Sequence, residues 1–366
     1  MFRRQRIKEY APSPYMKKTY FEDMVLTVFE TPFRKKCAIL GIVIFILIPF
    51  LFPPFITHII NLAGIASIGA MALNLLTGTA GLLSLGQAGF MCAGAFTVGH
   101  LSSHMGMPIY VTLPAAGLVG AILGLFSGLP SLRIKSIYLG LSTLAMHYII
   151  YYGASEYQFN VGYSQGIHIK DPSIGILTLS DKKSWYFFIW FFVWLTGVFI
   201  ANLLRSRPGR AWIAIRDRDI AAEVMGINIG YYKILVFAVS TSIVSMAGGL
   251  YAYYTNLATV EEYTFLLTIS YLAMIIVGGM GSILGSIMGT FLITLIPYSL
   301  IYAFGFWEVP FFLKEYFYAL ESGIFGLMII LFLFIEPSGM VEIWRRIRLF
   351  FELWPFKRKP LMITKR

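Results

Sequence analysis

The sequence contains a series of apolar runs of about 20 residues, and these constrain the fold more than any other feature. A run of that length can cross the hydrocarbon core of a bilayer as an α-helix. We place ten such runs, approximately at residues 37–56, 57–78, 82–103, 108–130, 136–153, 185–204, 233–254, 264–280, 283–305 and 314–335. The Gly-rich stretches 78–90 and 278–290 leave open whether those segments are continuous, broken or re-entrant. The predicted fold is an all-α polytopic membrane protein with about ten transmembrane helices.

The composition excludes a soluble protein. Only 13% of the residues are charged, whereas soluble proteins carry about 25%. The net charge of +11 would suit a nucleic-acid-binding protein. However, the mean hydropathy of +0.74 implies more apolar surface than a soluble basic domain can hide from water. The two cysteines, Cys37 and Cys92, are too few for a disulfide framework or a Cys-rich metal site. We therefore expect no nucleic-acid partner and no bound metal.

The positions of Lys and Arg predict the orientation of the chain, because short cytoplasmic loops are enriched in these residues. With ten spans, all but four of the 29 Lys and Arg residues lie on one side of the membrane. The four on the other side are Lys170, Lys182, Lys183 and Lys314. Both termini are therefore predicted to be cytoplasmic.

This orientation divides the chain into a basic cytoplasmic N-terminal segment (1–36), a transmembrane domain (37–335) and a basic cytoplasmic tail (336–366). Within the transmembrane domain, residues 154–184 form the predicted outer loop and residues 205–233 a cytoplasmic loop. The first apolar run follows some 36 polar and basic residues, so we expect no cleavable signal peptide.

Few ionisable residues lie within the predicted spans. Ser84, Gln87 and Phe90 belong to a small-residue stretch at membrane depth, where an unpaired polar group is costly. Glu321 is the clearest ionisable residue inside a span. These four residues are our candidates for the lining of a solute pathway. The alternative is that they only pack helices together, and Glu321 alone is weak support for a proton or ion site.

Two segments repeat glycine every four residues, which places the glycines on one helix face and lets two backbones approach closely. These glycines are Gly120, Gly124 and Gly128 in one segment, and Gly281, Gly285 and Gly289 in the other. We expect both segments to pack tightly against other helices.

The cytoplasmic loop predicts a short amphipathic helix at about 208–225. Ser206 can cap its start, Pro208 suits its first turn and Gly226 suits a left-handed stop. One helix face carries Ile213, Ile220 and Val224. Such a helix could rest on lipid headgroups or dock in the groove of a cytosolic partner, and the residues alone leave both readings open.

The same loop resembles a known family, the LivM-type inner-membrane permeases of ABC importers for branched-chain amino acids. The stretch from Ser206 to Lys233 is similar to the SRxGRAxxAIRxxxxAAxxMGI…YK sequence of that family. Ile220-Ala221-Ala222, followed by Gly226, resembles the EAA-x3-G coupling motif of ABC importers. Ile220 stands where the motif has Glu, so an ion pair from that Glu is not carried over.

Further stretches extend the resemblance to about residues 60–340. Residues 73–90 are similar to the family's NLLxGxxGLxSLGxAxF, residues 277–285 to its GGxGSxxG, and residues 132–138 to its LRxRGxY. The outer-loop residues 161–167 fit TGGxxGI only in part. If that loop helps to recognise the solute, this departure makes the identity of the solute the weakest inference.

The resemblance implies a permease subunit that works with two cytosolic ABC ATPase subunits, a second, LivH-like permease and an extracytoplasmic binding protein. It implies the bacterial inner membrane as the location and a branched-chain or related hydrophobic amino acid as the solute. The chain has no GxxxxGK[ST] sequence, so ATP would act on the partner subunits and this chain would bind no cofactor. The expected ATPase-coupling residues are Arg207, Gly209, Arg210, Ala211, Arg216, Ala221, Ala222 and Gly226.

Three other functions remain to be compared with this one. Related permeases carry urea or short amides, so those solutes stay open. An ion-coupled secondary transporter should show paired acids and bases in broken spans, and only Glu321 fits. A membrane-embedded enzyme should gather His, Asp or Glu at one face, whereas the five histidines are scattered along the sequence.

Overall fold

The structure, a computed structural model, describes residues 45–132, 137–160, 166–174, 177–178, 181–306 and 339–352, together with residues 323, 326, 327, 330 and 334. Glu321 and nearly all of the predicted span 314–335 lie outside the described residues, as do the predicted segment 1–36 and the tail beyond 352. The chain divides into two units, Met1–Pro53 and Pro54–Arg366. In the first, residues 45–51 are helical; the second contains all the elements described below.

Eleven helices are described in the second unit, and two of them are short. They are α1 (Pro54–Leu73), α2 (Gln87–Ser103), α3 (Ile109–Gly128), α4 (Ile137–Asn160), α5 (Lys182–Arg205), α6 (Arg207–Asp217), α7 (Asp219–Val224), α8 (Ile229–Thr255), α9 (Phe265–Gly278), α10 (Ile283–Phe306) and α11 (Met340–Glu352). A π-helical segment, Asn74–Thr79, continues α1, and 3₁₀ turns occupy Leu129–Leu132 and Val260–Glu262.

Where the structure describes them, the apolar runs are mainly helical, as predicted, and the chain is a mostly helical, multi-pass membrane protein. Among the described residues, five helical segments are long and apolar enough to cross a membrane: Pro54–Thr79, Ile109–Leu132, Lys182–Arg205, Ile229–Thr255 and Val260–Gly278. Ile283–Tyr298 is a shorter apolar helix. The total of ten spans stays a prediction.

The structure decides the arrangement of the two Gly-rich stretches. Residues 81–86 are not helical, so the run placed at 82–103 begins as a helix only at Gln87. Gly81 has a φ of +71°, a left-handed conformation that a right-handed helix cannot include. At the other Gly-rich stretch, helix α9 ends at Gly278 and α10 begins at Ile283. Both stretches therefore contain a break between two helices.

Helix α8 lies at the centre of the bundle, between α2 and α3. A Cβ atom added at Gly248 of α8 would lie 2.0 Å from the Met91 carbonyl oxygen of α2. Hydroxyl groups of α8 also donate to the backbones of its neighbours: Ser245 Oγ to Phe90 O (2.8 Å) and Thr241 Oγ1 to Gly120 O (2.8 Å). Small residues and hydroxyl groups thus hold these backbones in direct contact, as is typical inside membranes.

Both glycine repeats lie at close helix contacts. Gly120, Gly124 and Gly128 of α3 face α8, where an added Cβ at Gly124 would lie 2.0 Å from Thr241 Oγ1. In the second repeat, Gly289 of α10 faces α9, and an added Cβ at Gly289 would lie 2.0 Å from the Met274 carbonyl oxygen. The prediction of tight packing is confirmed for these positions, while Gly281 has a φ of +84° and lies in the turn before α10.

Four short strands lie outside the helices. β1 (Ile167–His168) pairs antiparallel with β4 (Leu257–Ala258), and β2 (Ser173–Ile174) pairs with β3 (Leu177–Thr178). The β1–β4 pair joins the segment between α4 and α5 to the end of α8. Helix α4 continues to Asn160, seven residues beyond the predicted end of that span at 153, because residues 154–160 contain no proline or glycine to stop it.

The α2–α8 contact leads to the first prediction. Gly248→Ala should lower the thermal stability of the protein, because overpacking a tight contact costs about 1–3 kcal/mol. Gly153→Ala is the matched control, since an added Cβ at Gly153 of α4 meets nothing within 4 Å. Thermal unfolding followed by size-exclusion chromatography in detergent measures both variants. Equal melting temperatures for the two would contradict the packing described above.

Candidate functional site

Helix α6 turns directly out of α5 at Ser206. The Ser206 amide and hydroxyl groups both donate to the Leu203 carbonyl oxygen, at 3.1 and 2.5 Å. Ser206 therefore closes α5, and its side chain makes no capping bond to α6, which corrects the predicted cap. Pro208 does occupy the first turn of α6. An added Cβ at Gly209 would lie 2.4 Å from the Leu204 Cα atom, so the sharp turn requires glycine at 209.

One face of α6 is buried against the helical bundle. Trp212 is fully buried, and its Nε1 donates to the Tyr232 carbonyl oxygen of α8 at 2.8 Å. Ala211 and Ile215 are buried beside it. The opposite face exposes Arg207, Arg210 and Ile213. Helix α6 is amphipathic, as predicted, but its buried face is not the predicted one, because Ile213 is exposed. The face that is buried fixes α6 to the start of α8.

The predicted single helix over 208–225 is wrong, because the chain breaks at Arg218. This residue is extended, with φ −157° and ψ 104°, and α7 begins at the next residue. Asp219 Oδ1 accepts a hydrogen bond from the Ile220 amide at 2.9 Å, and such local bonds compete with continuing a helix. Gly226, with φ +82°, provides the predicted left-handed stop.

Helix α7 presents an exposed apolar surface. Ala222 is buried and Ala221 is exposed. Ile220, Val224 and Met225 are 71%, 82% and 82% exposed. With Ile213 (45% exposed) of α6, these four residues form what we call the α6–α7 apolar surface. Ile213, Ile220 and Val224, predicted to share one helix face, are all exposed, and the break at Arg218 divides them between two helices.

Arg216 connects α6 to the end of α1. Its Nη1 donates to the Gly78 carbonyl oxygen, within the last turn of the π-helical segment. The last carbonyl groups of a helix lack intrahelical partners, and a cation there is stabilised by the helix dipole. The Arg216 side chain also lies against Gly81 and Gly281. A Cβ atom added at Gly81 would lie 3.1 Å from the Cγ atom of Arg216, and one added at Gly281 would lie 3.3 Å from its Nη1 atom.

Asn74 joins the same place to the turn between α9 and α10. Its Nδ2 donates to Ser282 O (2.8 Å) and Ser286 Oγ (2.7 Å), while its Oδ1 accepts from the Gly281 amide at 2.7 Å. Asn74 is nearly fully buried. We call the set Asn74, Gly78, Gly281 and Arg216 the Asn74–Arg216 junction.

The junction was not recognised as a site from the sequence, which named Arg216 as a coupling residue and Gly281 only as a packing glycine. The available signal was an Asn within an apolar run, near the start of the stretch 73–90 that resembles the family. That signal does not reveal its partners, because Ser282 and Ser286 lie more than 200 residues further along the chain.

The predicted pathway residues lie inside the bundle. Gln87 is 2% exposed, and its Nε2 donates to the Gly69 carbonyl oxygen of α1 at 2.9 Å. Ser84 and Phe90 are also buried, and Ser84 Oγ accepts from the Gly86 amide at 3.4 Å. A role in the pathway stays a prediction for all three, and Glu321 is outside the described residues.

Within the described part of the chain, no three His, Cys, Asp or Glu side chains are grouped so that they could hold a metal ion.

The junction leads to the second prediction. Asn74→Leu keeps a side chain of similar size but removes the acceptor for the Gly281 amide, so we expect the protein to lose about 1–3 kcal/mol of stability. Asn202→Leu is the control, because Asn202 is exposed on α5. A thermal-shift assay in detergent compares them, and an Asn74 variant as stable as the control would contradict the role of the junction.

Comparison with known proteins connects this architecture to a family of permeases. The model of the family described as "Branched-chain amino acid transport system / permease component" matches residues 55–333. The chain is 29% identical over 269 residues to the high-affinity branched-chain amino acid transport system permease protein LivM of Escherichia coli K12, covering 67% of this chain and 63% of LivM. It is 27% identical over 242 residues to a probable LivM of Methanocaldococcus jannaschii, covering 62% of this chain and 66% of that protein.

A sugar permease is also similar. The galactose/methyl galactoside import permease protein MglC of E. coli K12 is 28% identical over 212 residues, covering 54% of this chain and 60% of MglC. The chain thus spans less than two thirds of the length of each of these relatives. No solved structure gives a significant match.

The family match covers most of the chain, including the helical bundle, the Asn74–Arg216 junction and the α6–α7 apolar surface. The chain belongs to the branched-chain amino acid transport permease family and is a LivM-type permease.

Proposed function

We propose that this chain is a transmembrane permease subunit of an ATP-binding cassette importer. Its solute would be a branched-chain or related hydrophobic amino acid delivered by an extracytoplasmic binding protein. The family and the names of the LivM relatives support this solute class. The observation that carries the mechanism is the hydrogen bond from Arg216 of α6 to the Gly78 carbonyl oxygen of the transmembrane bundle.

The α6–α7 apolar surface is the proposed contact with a cytosolic ATPase subunit. Its four apolar side chains are exposed beside Arg207 and Arg210. An amphipathic helical element of this kind suits a groove, where apolar anchors are buried and charged side chains fix the orientation. Gly209, Ala211, Ala221, Ala222 and Gly226 would let the two proteins approach closely or keep α6 and α7 in place.

A displacement of α6 by the ATPase would be transmitted to the transmembrane helices through the Asn74–Arg216 junction. ATP-driven closure of the ATPase pair would displace α6 as a rigid lever, because Trp212 and Ile215 fix it to the bundle. Arg216 would pass that displacement to the end of α1, and Asn74 would pass it to the turn before α10. The spans would then alternate between outward-open and inward-open arrangements.

The remaining parts of the importer would be separate proteins. Two cytosolic ABC ATPase subunits would hydrolyse ATP, so this chain would be non-catalytic and would bind no cofactor. A second, LivH-like permease would complete the solute pathway. The excess of Lys and Arg on one side supports cytoplasmic termini and loop 205–233, in the inner membrane of a bacterium.

The third prediction concerns coupling. Arg216→Gln, or charge reversal at Arg210 or Arg216, should lower the solute transported per ATP hydrolysed by about tenfold, since coupling between sites is typically about 1–3 kcal/mol. Folding should persist, because all three changes are at exposed positions. Proteoliposomes containing the complete importer allow uptake and ATP hydrolysis to be measured together.

Arg205→Gln is the matched control for coupling. Arg205 is exposed at the end of α5, close in sequence to α6 but outside the proposed contact, so its variant should keep the wild-type ratio. If Arg216→Gln keeps that ratio too, the lever mechanism is wrong.

The fourth prediction concerns the solute. Proteoliposomes with the complete importer should accumulate leucine, isoleucine and valine only when the binding protein and ATP are present. Urea, acetamide and galactose, assayed in the same way, should not be accumulated. Preferential uptake of urea or the amide would overturn the amino-acid assignment, and uptake driven by an ion gradient without ATP would overturn the ABC class.

A further inference from the structure

A cavity of about 310 Å³ lies inside the bundle, apart from the Asn74–Arg216 junction and from Ser84, Gln87 and Phe90. Its walls come from α1, α2, α8, α9 and α10 and from the 3₁₀ turn before α9. They are mostly apolar, and include Leu62, Ile65, Met91, Leu267 and Met274. The volume is at the lower end of the range of small-molecule pockets, about 300–1,000 Å³.

Three polar side chains in the cavity wall have buried atoms without a hydrogen-bond partner among the described residues: Glu262 Oε2, Tyr263 OH and Thr294 Oγ1. Tyr263 is fully buried. Buried polar groups in proteins are almost always hydrogen-bonded, so three such atoms around one cavity indicate a polar ligand. Two of them are hydroxyl groups that can donate, and the third belongs to a carboxyl group that accepts.

Helix α10 adds a backbone acceptor. Pro297 lies inside this helix and has no N–H, so the carbonyl group of Ile293 loses its helical donor. Ile293 and Pro297 both line the cavity. Glu262 and Ile293 thus supply a carboxylate and a carbonyl oxygen without its α-helical donor to the lining of one cavity, and such acceptors suit an ammonium group.

The charge of the cavity supports the same ligand. Glu262 is the one ionisable carboxyl group among the lining residues, and no Lys, Arg or His is among them in the described part of the chain. Tyr251 hydrogen-bonds to the Glu262 carboxyl group, but that neutral donor does not offset a negative charge. Glu262 lies between the predicted spans 233–254 and 264–280 and is half-buried, and a half-buried carboxylate facing an apolar cavity favours a cationic partner.

We propose that this cavity binds a compound with a primary ammonium group on a short aliphatic chain, with Glu262 as its counter-charge. The Ile293 carbonyl oxygen accepts a second ammonium hydrogen, and the Tyr263 and Thr294 hydroxyl groups donate to a carboxylate at the other end of a zwitterion. The apolar walls contact the aliphatic side chain. The assignment rests on the proposed function in one respect: the occupant is the amino acid in transit.

Photo-leucine, a leucine with a diazirine in its side chain, is the probe that tests this site. The chain is purified with its partner subunits in nanodiscs of phosphatidylcholine, so that no lipid carries a primary ammonium. After irradiation, mass spectrometry should find the label on residues 262–274 or 291–298. Unlabelled leucine and 3-methylbutylamine should compete with the probe. 4-Methylpentanoate, which lacks the ammonium group, should compete at least about tenfold less well, since a charge-assisted hydrogen bond is lost.

Glu262→Gln should reduce the labelling about tenfold or more, for the same reason. Glu261→Gln is the matched control, because Glu261 is the adjacent residue and is exposed. Thr294→Val is a second variant that keeps the carboxylate and should weaken labelling while leaving competition by 3-methylbutylamine intact. Size-exclusion profiles identify any variant that does not fold.

The possible results separate this inference from the proposed function. Label outside the cavity, or equal labelling of the two glutamate variants, overturns the site even if the importer transports leucine. Label within the cavity of an importer that transports no amino acid overturns the proposed function and leaves an ammonium site. Displacement of the probe by added phosphatidylethanolamine at lower concentration than leucine assigns the cavity to a lipid headgroup and overturns an amino acid as its occupant.

Discussion

The arrangement of the bundle depends on how it satisfies backbone polar groups where helices break inside an apolar environment. A break exposes N–H and C=O groups that lipid cannot hydrogen-bond. The chain breaks after the π-helical segment and again before α10. Asn74 begins the π-helical segment that leads to the first break, and it hydrogen-bonds to the Gly281 amide and the Ser282 carbonyl oxygen at the second. One buried amide side chain thus makes two interruptions compatible with a membrane and fixes them to each other.

The breaks also explain why the proposed coupling element can act on the transmembrane helices. Arg216 binds a carbonyl oxygen that is available because α1 ends there, and the glycines at 81 and 281 leave room for its side chain. Helix α6 is therefore joined both to a helix end and to α8 through Trp212. Helix α7, separated by the extended Arg218, exposes apolar side chains that the described part of the chain does not cover.

The two proposed sites differ in their chemistry, as expected of sites that would serve different steps. The junction contains amide, carbonyl and guanidinium groups that are paired with one another, so it suits transmission of force between elements. The cavity contains polar atoms that the described residues do not pair, so it suits a ligand that comes and goes. Helix α10 contributes to both: Ser286 binds Asn74 near its start, and Thr294 and Pro297 line the cavity two to three turns later.

The sequence by itself determined the class of fold, most of the helices, the close contacts of the glycine repeats and the amphipathic character of α6, because each depends on composition or on spacing along one helix. It also located the resemblance that the family comparison confirmed. It could not predict the break at Arg218, the true role of Ser206, or the partners of Asn74, Arg216 and Glu262. The first two depend on local bonds, between Asp219 and the Ile220 amide and between Ser206 and the Leu203 carbonyl oxygen, which compete with other local arrangements. The partners of Asn74 lie as many as 212 residues further along the chain. Only the tertiary structure decided those partners and the cavity, since both are set by distances in space that no local pattern encodes.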